Sequence, residues 1–531
     1  MSARTSIQDV LDSVPSTFRG PGGAVAVVKD GELAGQRVWG YADLDARALM
    51  TPKTIFPICS ISKQMVCLVL TDLLQNDKDH TFVQALEKAL HDLLPRDVAS
   101  NEQLTVERLV AMQSGLRDYW ALTVLWGAKP GGRFSIYQDV PQALKRLGGF
   151  HFPPGTQMSY CNTNFVTVGL AMEKATGRTL GDLLQEGLFK PAGMNTAAMR
   201  PDTERIPPPL VGYEGSEEAG YIPYQNRIEW AADAGIQASL EDMIAYEKFL
   251  DREALDLRSA YRKNSQQPYY LDGSPASYGF GLAHGDVDGI KLIGHGGGLA
   301  GFRLFRCYLA ESRTSVLIML NSEGDVDAIT GHIVRGIAGK AKDQAPLEQI
   351  EVDWTGCYLD EQSLLSVGVT QKKPGKLSVS YAGRDESMSL TNSTEAASKK
   401  TQVNFESGRL KIRRHRGHDI IARPLQSRTE SNDAPSYIGA YRSDGIDSTL
   451  HIAGTGRMLY GSFDGYLGQG PAHVMRYLGE NVWSLICRRS LDAPAPGEWT
   501  MVFHRGSDGN AVTGVTVGCW LARGIYYEKL T

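Results

Sequence analysis

A serine hydroxyl becomes a useful nucleophile only when a neighbouring base takes its proton. The tetrad Ser60-Ile61-Ser62-Lys63 offers such a pair. On a helix, residues three apart lie one above the other on one face, so Lys63 can stand beside the Ser60 hydroxyl without help from distant loops. Pro57-Ile58-Cys59 before the tetrad and Gln64-Met65-Val66-Cys67-Leu68-Val69-Leu70 after it predict a helix that is apolar almost all round, hence buried. Ser60 falls in its first turn, where unpaired backbone N–H groups and the positive helix end favour an oxyanion or alkoxide. An amine held there is partly desolvated, which disfavours its charged form and suits a general base working near neutrality. Ser62 is the rival serine. It has no lysine at i+3 and reads as a packed hydroxyl bonded to the helix backbone. Taken alone, the tetrad reads as a short polar interruption of an apolar helix, and its companions reverse that reading.

Two companions follow, Tyr160-Cys161-Asn162 and His295-Gly296-Gly297. Tyr160 can carry a proton at neutral pH if cations beside it favour the phenolate, and Lys63 and His295 are the candidates. It is otherwise a core aromatic with a satisfied hydroxyl, but Pro153-Pro154-Gly155 upstream suits a rigid loop over a cleft. The Asn162 amide can bond both Lys63 and a substrate carbonyl, which positions without moving protons. The glycines after His295 let a substrate backbone approach a strand edge with no Cβ in the way.

Elements must place these residues. Ala24-Val25-Ala26-Val27-Val28, the turn signal Asp30-Gly31 and Val38-Trp39-Gly40-Tyr41 predict an opening hairpin. A helix over 104–112 has Thr105 as N-cap, and another spans 164–175, ended by Gly177. Strands return at 278–282, at 291–295 leading into the glycine run, at 302–308 and at 315–320, and a closing helix covers 329–337. Strands at both ends of a helical middle imply one sheet assembled from both ends of the domain. Asn321-Ser322 and Asp288 read as surface turns. Near residue 340 the composition shifts: 341–346 is a polar linker, and short strands broken by glycine follow. Thr355-Gly356-Cys357-Tyr358 and Ile438-Gly439-Ala440-Tyr441 begin two similar stretches, with a junction over 428–435, so two small antiparallel barrels are expected.

With 531 residues, more than one domain is expected. A hydrophobic content of 42% and net charge of -5 fit a globular protein and exclude the basic field a nucleic-acid partner needs. The pI near 6.2 and mean hydropathy of -0.25 agree. No apolar run is long enough for a membrane span, and the first residues carry no leader pattern. The seven cysteines are widely spaced, which suits buried thiols in a reducing, cytoplasmic setting and lacks the short pairs of a metal site.

The three boxes, in this order, resemble those of the penicillin-recognising serine hydrolases, more narrowly the branch of class C beta-lactamases, D,D-peptidases and esterases. Phe152-Pro153-Pro154-Gly155-Thr156, Pro191-Ala192-Gly193-Met194 and Gly235-Ile236-Gln237-Ala238-Ser239 with Glu241-Asp242, the start of a later helix, extend the likeness over residues 15–335. With its C-terminal extension the whole chain is similar to the bacterial D-aminopeptidase family. That resemblance implies an α+β fold. A beta-lactamase-like catalytic domain, an antiparallel sheet flanked by helices, occupies 1–340. Accessory β-barrels occupy 347–428 and 433–531, the second with a loop reaching the active site. It implies Ser60 as acyl carrier, Lys63 as base, Tyr160 as proton relay, Asn162 as positioner and His295 as the third-box cation. The backbone N–H groups of Ser60 and Gly298 become the oxyanion hole. No metal and no cofactor are implied. His295 stands where the lactamases carry lysine. Histidine titrates near 6.5 and lysine near 10.4, so the charge here becomes pH-dependent and attraction for a substrate carboxylate weakens.

The family's amine-recognising loop matches Arg488-Arg489-Ser490-Leu491-Asp492-Ala493-Pro494-Ala495-Pro496-Gly497-Glu498, with Asp492 as the group that meets the free amine. By composition alone the stretch reads as a surface turn. The expected substrate is a small peptide or amide with a free N-terminal D-residue. The same serine chemistry also serves a D,D-carboxypeptidase, a beta-lactamase or a short-chain esterase. A non-catalytic binding protein is disfavoured by the intact Ser60, Lys63, Tyr160 and Asn162. The two barrels offer surface for a homodimer.

Overall fold

The computed structural model describes residues 6–340, 350–414, 417–426, 434–455, 458–487, 491, 497–507, 509 and 511–530. The apolar runs at 24–28 and 315–320 become neighbouring central strands, as runs buried on both faces must. Eight strands form the sheet: β1 (Gly22–Lys29), β2 (Glu32–Asp43), β3 (Ala48–Leu49), β4 (Tyr278–Gly279), β5 (Leu282–Val287), β6 (Ile290–Leu299), β7 (Phe302–Leu309) and β8 (Thr314–Leu320). Their order is β3-β2-β1-β8-β7-β6-β5-β4, so the two ends of the domain meet at the antiparallel pair β1–β8, with Val25 opposite Ile318. On one face lie α1 (Ile7–Thr17) and α4 (Val326–Ala338), which share a core with Val25, Val27, Val316 and Ile318. The glycine run expected after a strand is part of β6 itself, because these residues pair through to Leu299, opposite Phe302.

The sheet's other face holds a buried ion pair. From α3 (Leu240–Leu255), Glu247 receives the Arg306 guanidinium of β7, Nε to Oε1 at 2.8 Å and Nη2 to Oε2. Ser315 donates to the same carboxylate at 2.7 Å, and Arg306 Nη1 reaches Gln64 Oε1 at 3.3 Å in α2 (Ser62–Asn76). Burial works against the Arg306 charge, yet Glu247 holds its titration above the ordinary arginine value. A Ser239–Asp242 capping box starts α3, where the family likeness puts a helix start. Asn321 departs from its reading as a surface turn. It is 0% exposed, and its amide donates to the carbonyls of Tyr41 and Val211 at 3.1 and 3.0 Å, satisfying backbone that the sheet leaves unpaired. Asp288 does lie in an exposed turn, paired with Arg335 at 3.1 Å.

Both expected barrels form. Eight strands from Gly356–Asp360 to Ile420–Pro424 close on themselves, Tyr358 opposite Pro424. A second ring runs from Gly439–Ser443 to Ala522–Lys529 and closes through the pairing of Ser448–Thr455 with Met458–Gly465. The repeat is structural as well: Tyr358 donates to the carbonyl of Trp354 at 2.8 Å and Tyr441 to that of Tyr437 at 2.6 Å. The linker at 341–346 and most of the 428–435 junction lie outside the described residues. The chain groups into two compact units that do not follow its order. One contains Met1–Met112, Arg133–Pro141 and Asn164–Asp343, and the other contains Gln113–Gly132, Gln142–Thr163 and Gln344–Thr531.

Candidate active site

Ser60 sits in the 3₁₀ turn Cys59–Ile61, one step before α2 rather than inside its first α-turn. The cause is Cys59, whose φ of +51° puts a non-glycine residue in the left-handed region. That conformation costs roughly 1–2 kcal/mol and persists only where its surroundings impose it. Strand Ile236–Ser239 imposes it from both sides. Ile58 N–H donates to the Ile236 carbonyl at 3.0 Å, and Ile236 N–H donates to Ser62 Oγ at 3.2 Å. Ser62 therefore serves a neighbouring strand, not its own helix as its spacing suggested. Cys59, beside Ser60, is no rival candidate. Burial pushes its thiol up to about 12, with Arg303 and Lys63 opposing.

Lys63 is 0% exposed, and its Nζ lies 3.0 Å from Ser60 Oγ, as the i,i+3 spacing predicts. Nζ also donates to the Asp233 carbonyl at 2.6 Å and stands 5.5 Å from the Phe165 ring centre. Sequence reasoning missed Asp233, and nothing in composition could have found it, since it acts through a backbone oxygen that every residue has. Its side chain closes the local turn by accepting from Ala231 N–H at 2.9 Å.

His295 is on β6, opposite Arg306, and 6% exposed. Its Nδ1 lies 2.6 Å from the Gly296 carbonyl, which can only accept, so Nδ1 carries the hydrogen. In the neutral ring Nε2 is then the acceptor for the Tyr278 hydroxyl at 2.9 Å. Tyr278, buried on β4, had read only as a strand residue. Two glycines let these strands approach the segment that carries Ser60. A Cβ on Gly297 would lie 2.5 Å from the Ile58 carbonyl, and one on Gly281, at φ +72°, 2.5 Å from the Gln64 nitrogen. Only glycine permits backbone to meet backbone at both places. Gly298, the next residue of β6, is exposed opposite Arg303.

Tyr160 and Asn162 belong to the second compact unit, together with residues 113–132. There the middle box is laced to segment 116–119. Cys161 donates to the Leu116 carbonyl at 3.3 Å, Thr163 donates to the Arg117 carbonyl at 2.8 Å, and Asn162 N–H donates to the Asp118 carboxylate. Asp118 also caps helix Tyr119–Leu125 through Ala121 N–H at 3.1 Å. Asp before an apolar run is an N-cap signal that could have been read. Of the late acidic loop, Asp492 lies outside the described residues, as do 488–490 and 493–496. Its roots are described: Leu491 is buried, and Glu498 donates its N–H to the Ala382 carbonyl at 2.9 Å and pairs with Arg476 at 2.9 Å.

A strained serine turn over a buried lysine, with a third box on the adjoining strand edge, is the arrangement expected of an acylating hydrolase. Residues 9–339 match the Beta-lactamase family model, and 348–528 match the model for domain B of D-aminopeptidase. The chain is 39% identical over 525 residues to a D-aminopeptidase of Brucella melitensis biotype 2, covering 99% of each. It belongs to the D-aminopeptidase family. A D-aminopeptidase of Cereibacter sphaeroides is 41% identical over 529 residues, again with 99% of each chain covered. The octameric penicillin-binding protein homologue from Pyrococcus abyssi shares the fold at 19% identity and a TM-score of 0.52, over 78% of this chain and 99% of that one. The family's hydrolase fold thus runs through the first part of the chain, and its accessory barrels through the second.

Proposed function

We propose that the chain is a serine aminopeptidase that releases N-terminal D-residues, D-alanine and similar small ones, from peptides, amides and esters through an acyl-enzyme on Ser60. The observation that carries this reading is the 3.0 Å contact of the buried Lys63 amine with Ser60 Oγ, in a chain of this family. Ser60 Oγ attacks the carbonyl carbon while Lys63 takes its proton. The N–H groups of Ser60 and Gly298 hold the tetrahedral oxyanion. Tyr160 receives that proton from Lys63 and delivers it to the departing amine as the C–N bond breaks, and Asn162 orients Lys63 and the substrate carbonyl. Water then attacks the ester by the same path in reverse, releasing the D-residue. In function, 1–340 supplies the hydrolase and 347–428 and 433–531 the accessory domains, with Asp492 at the substrate's amine. The buried free thiols of Cys59, Cys67, Cys307 and Cys519 support a cytoplasmic location, and the barrels offer surface for a homodimer.

A carboxylate pairs with an ammonium but is left buried and unpaired by an acetylated amine. D-alanyl p-nitroanilide should therefore be cleaved and its N-acetyl form should be poorer by about 100-fold or more, the scale of one lost charged contact, and a D-specific enzyme should also use the L-isomer poorly. Asp492→Asn should erase most of the preference for the free amine while Ser60 still acylates. Equal rates on free and acetylated substrate would remove Asp492 from amine recognition and leave the esterase or D,D-peptidase reading.

The third box gives a separate test. With His295 supplying charge, activity needs a protonated ring and is lost as pH rises past the ring's titration, whereas lysine stays charged to far higher pH. His295→Lys should keep substantial activity and extend the kcat/KM profile to alkaline pH. Superimposable profiles would show that the side chain acts by packing alone.

A further inference from the structure

Just after the hairpin turn that joins strands Val512–Cys519 and Ala522–Lys529, at the start of the second strand, stands Arg523, which is 6% exposed and lies in the same compact unit as Tyr160. Its Nη1 donates to His418 Nδ1 at 3.0 Å and to Gln157 Oε1 at 3.3 Å, and its guanidinium lies 5.3 Å from the centre of the Phe152 ring. Its backbone N–H donates to His151 Nδ1 at 3.3 Å, and its carbonyl accepts from Arg117 Nε at 2.9 Å. Arg117 also donates to the Leu147, Gly148 and Gly149 carbonyls, and Asp118 N–H donates to the Leu521 carbonyl at 3.1 Å. One turn of the last barrel therefore grips both the 152–157 loop that leads into Tyr160 and the 116–119 segment that laces the middle box.

The other end of the chain of contacts is in the first barrel. His418 Nδ1 accepts from Arg523, so its Nε2 carries the hydrogen and donates to Asp360 at 2.9 Å. Ser363 donates to the same carboxylate and meets the Tyr381 hydroxyl at 3.0 Å, while Arg414 stacks over Tyr381 at 4.8 Å. A buried guanidinium held through Nη1 to two acceptors and lying against the Phe152 ring is restricted in position and passes that restriction to the groups it bonds. Neither Arg523 nor His418 is needed for barrel closure by strand pairing alone.

We propose that Arg523 is a positioning residue for the reaction: anchored through His418 and Asp360, it holds the 152–157 loop so that the Tyr160 hydroxyl stands where the proton must travel. This rests on the proton-carrying role of Tyr160 given above. Displacing a reacting group by about 1 Å costs on the order of 100-fold in rate, and the loss falls on kcat because binding contacts are kept.

The test is a double-mutant cycle on the full chain, with D-alanyl p-nitroanilide and, as a second substrate, p-nitrophenyl acetate. Arg523→Leu is expected to lower kcat by about 10- to 100-fold with KM within about threefold. Gln157→Leu, which removes only the loop's end of the contact, should lower kcat in the same sense by about tenfold and guards against a misfolded arginine variant. On a Tyr160→Phe background both losses should largely vanish, because there is no longer a hydroxyl to place. Full losses persisting on that background, or unchanged kcat in both single variants, would overturn the inference. Unchanged activity in Tyr160→Phe alone would instead strike at the proton role of Tyr160, and the inference would fall with it.

Discussion

Replacing Ser60 with alanine should lower kcat/KM by on the order of 10⁴- to 10⁶-fold, the range found when a serine nucleophile is removed from an otherwise intact site. The fold should survive, because Ser60 is only half-buried and its turn is held by Ile58, Cys59 and Ser62 bonding to their neighbours. Ser62→Ala makes the contrast. It should leave activity within a few-fold but cost about 1–3 kcal/mol, because the Ile236 N–H loses its buried acceptor. Mass spectrometry after a slowly hydrolysed acyl donor should place the adduct on Ser60. Full activity in Ser60→Ala, or an adduct on Ser62, would overturn the assignment.

The largest expected stability effect lies beneath the site, at Glu247 and Arg306. Both side chains are 0% exposed, so removing one charge leaves the other buried without its counter-ion. Glu247→Gln should cost about 3–5 kcal/mol, and the melting temperature should fall by on the order of 10 °C. Replacing both together, Glu247→Leu with Arg306→Met, should recover most of the loss, since well-packed apolar side chains of similar volume can substitute for a buried pair. Because Arg306 also bonds Gln64, next to Lys63, the single variant should lose activity below its melting temperature. A Glu247→Gln protein that melts with the parent would show that the pair contributes nothing net.

What could be read in advance was what is local in sequence. Ser60 and Lys63 meet because three residues along a helix bring them together, and the Thr105 N-cap is a local signal of the same kind. The central strands were legible because their runs are apolar without interruption. The partners that complete the site were not. Tyr278 reaches His295 across two strands, and Asp233 reaches Lys63 through a carbonyl oxygen; neither leaves a mark in composition. Ser62 and Asn321 were given bland readings whose partners proved wrong, because only the fold reveals which backbone groups a sheet leaves unpaired. The positive φ at Cys59 was equally hidden, since nothing in a cysteine announces a left-handed backbone.

The interleaved second unit has a consequence for how the molecule is made. Arg117 bonds the carbonyl of Arg523, 406 residues later, and the Trp126 indole N–H bonds the Ile446 carbonyl at 2.8 Å. At the usual roughly 5–20 residues per second, a ribosome delivers Arg523 about 20–80 s after Arg117 has been added. Until then the nascent chain holds the Arg117 guanidinium and, until Ile446 and Tyr466 are made, the Trp126 indole, without these partners. The bonds from Arg117 and Asp118 to the carbonyls of Arg523 and Leu521 therefore form only after nearly all of the second unit is translated, although the segment they hold is made early.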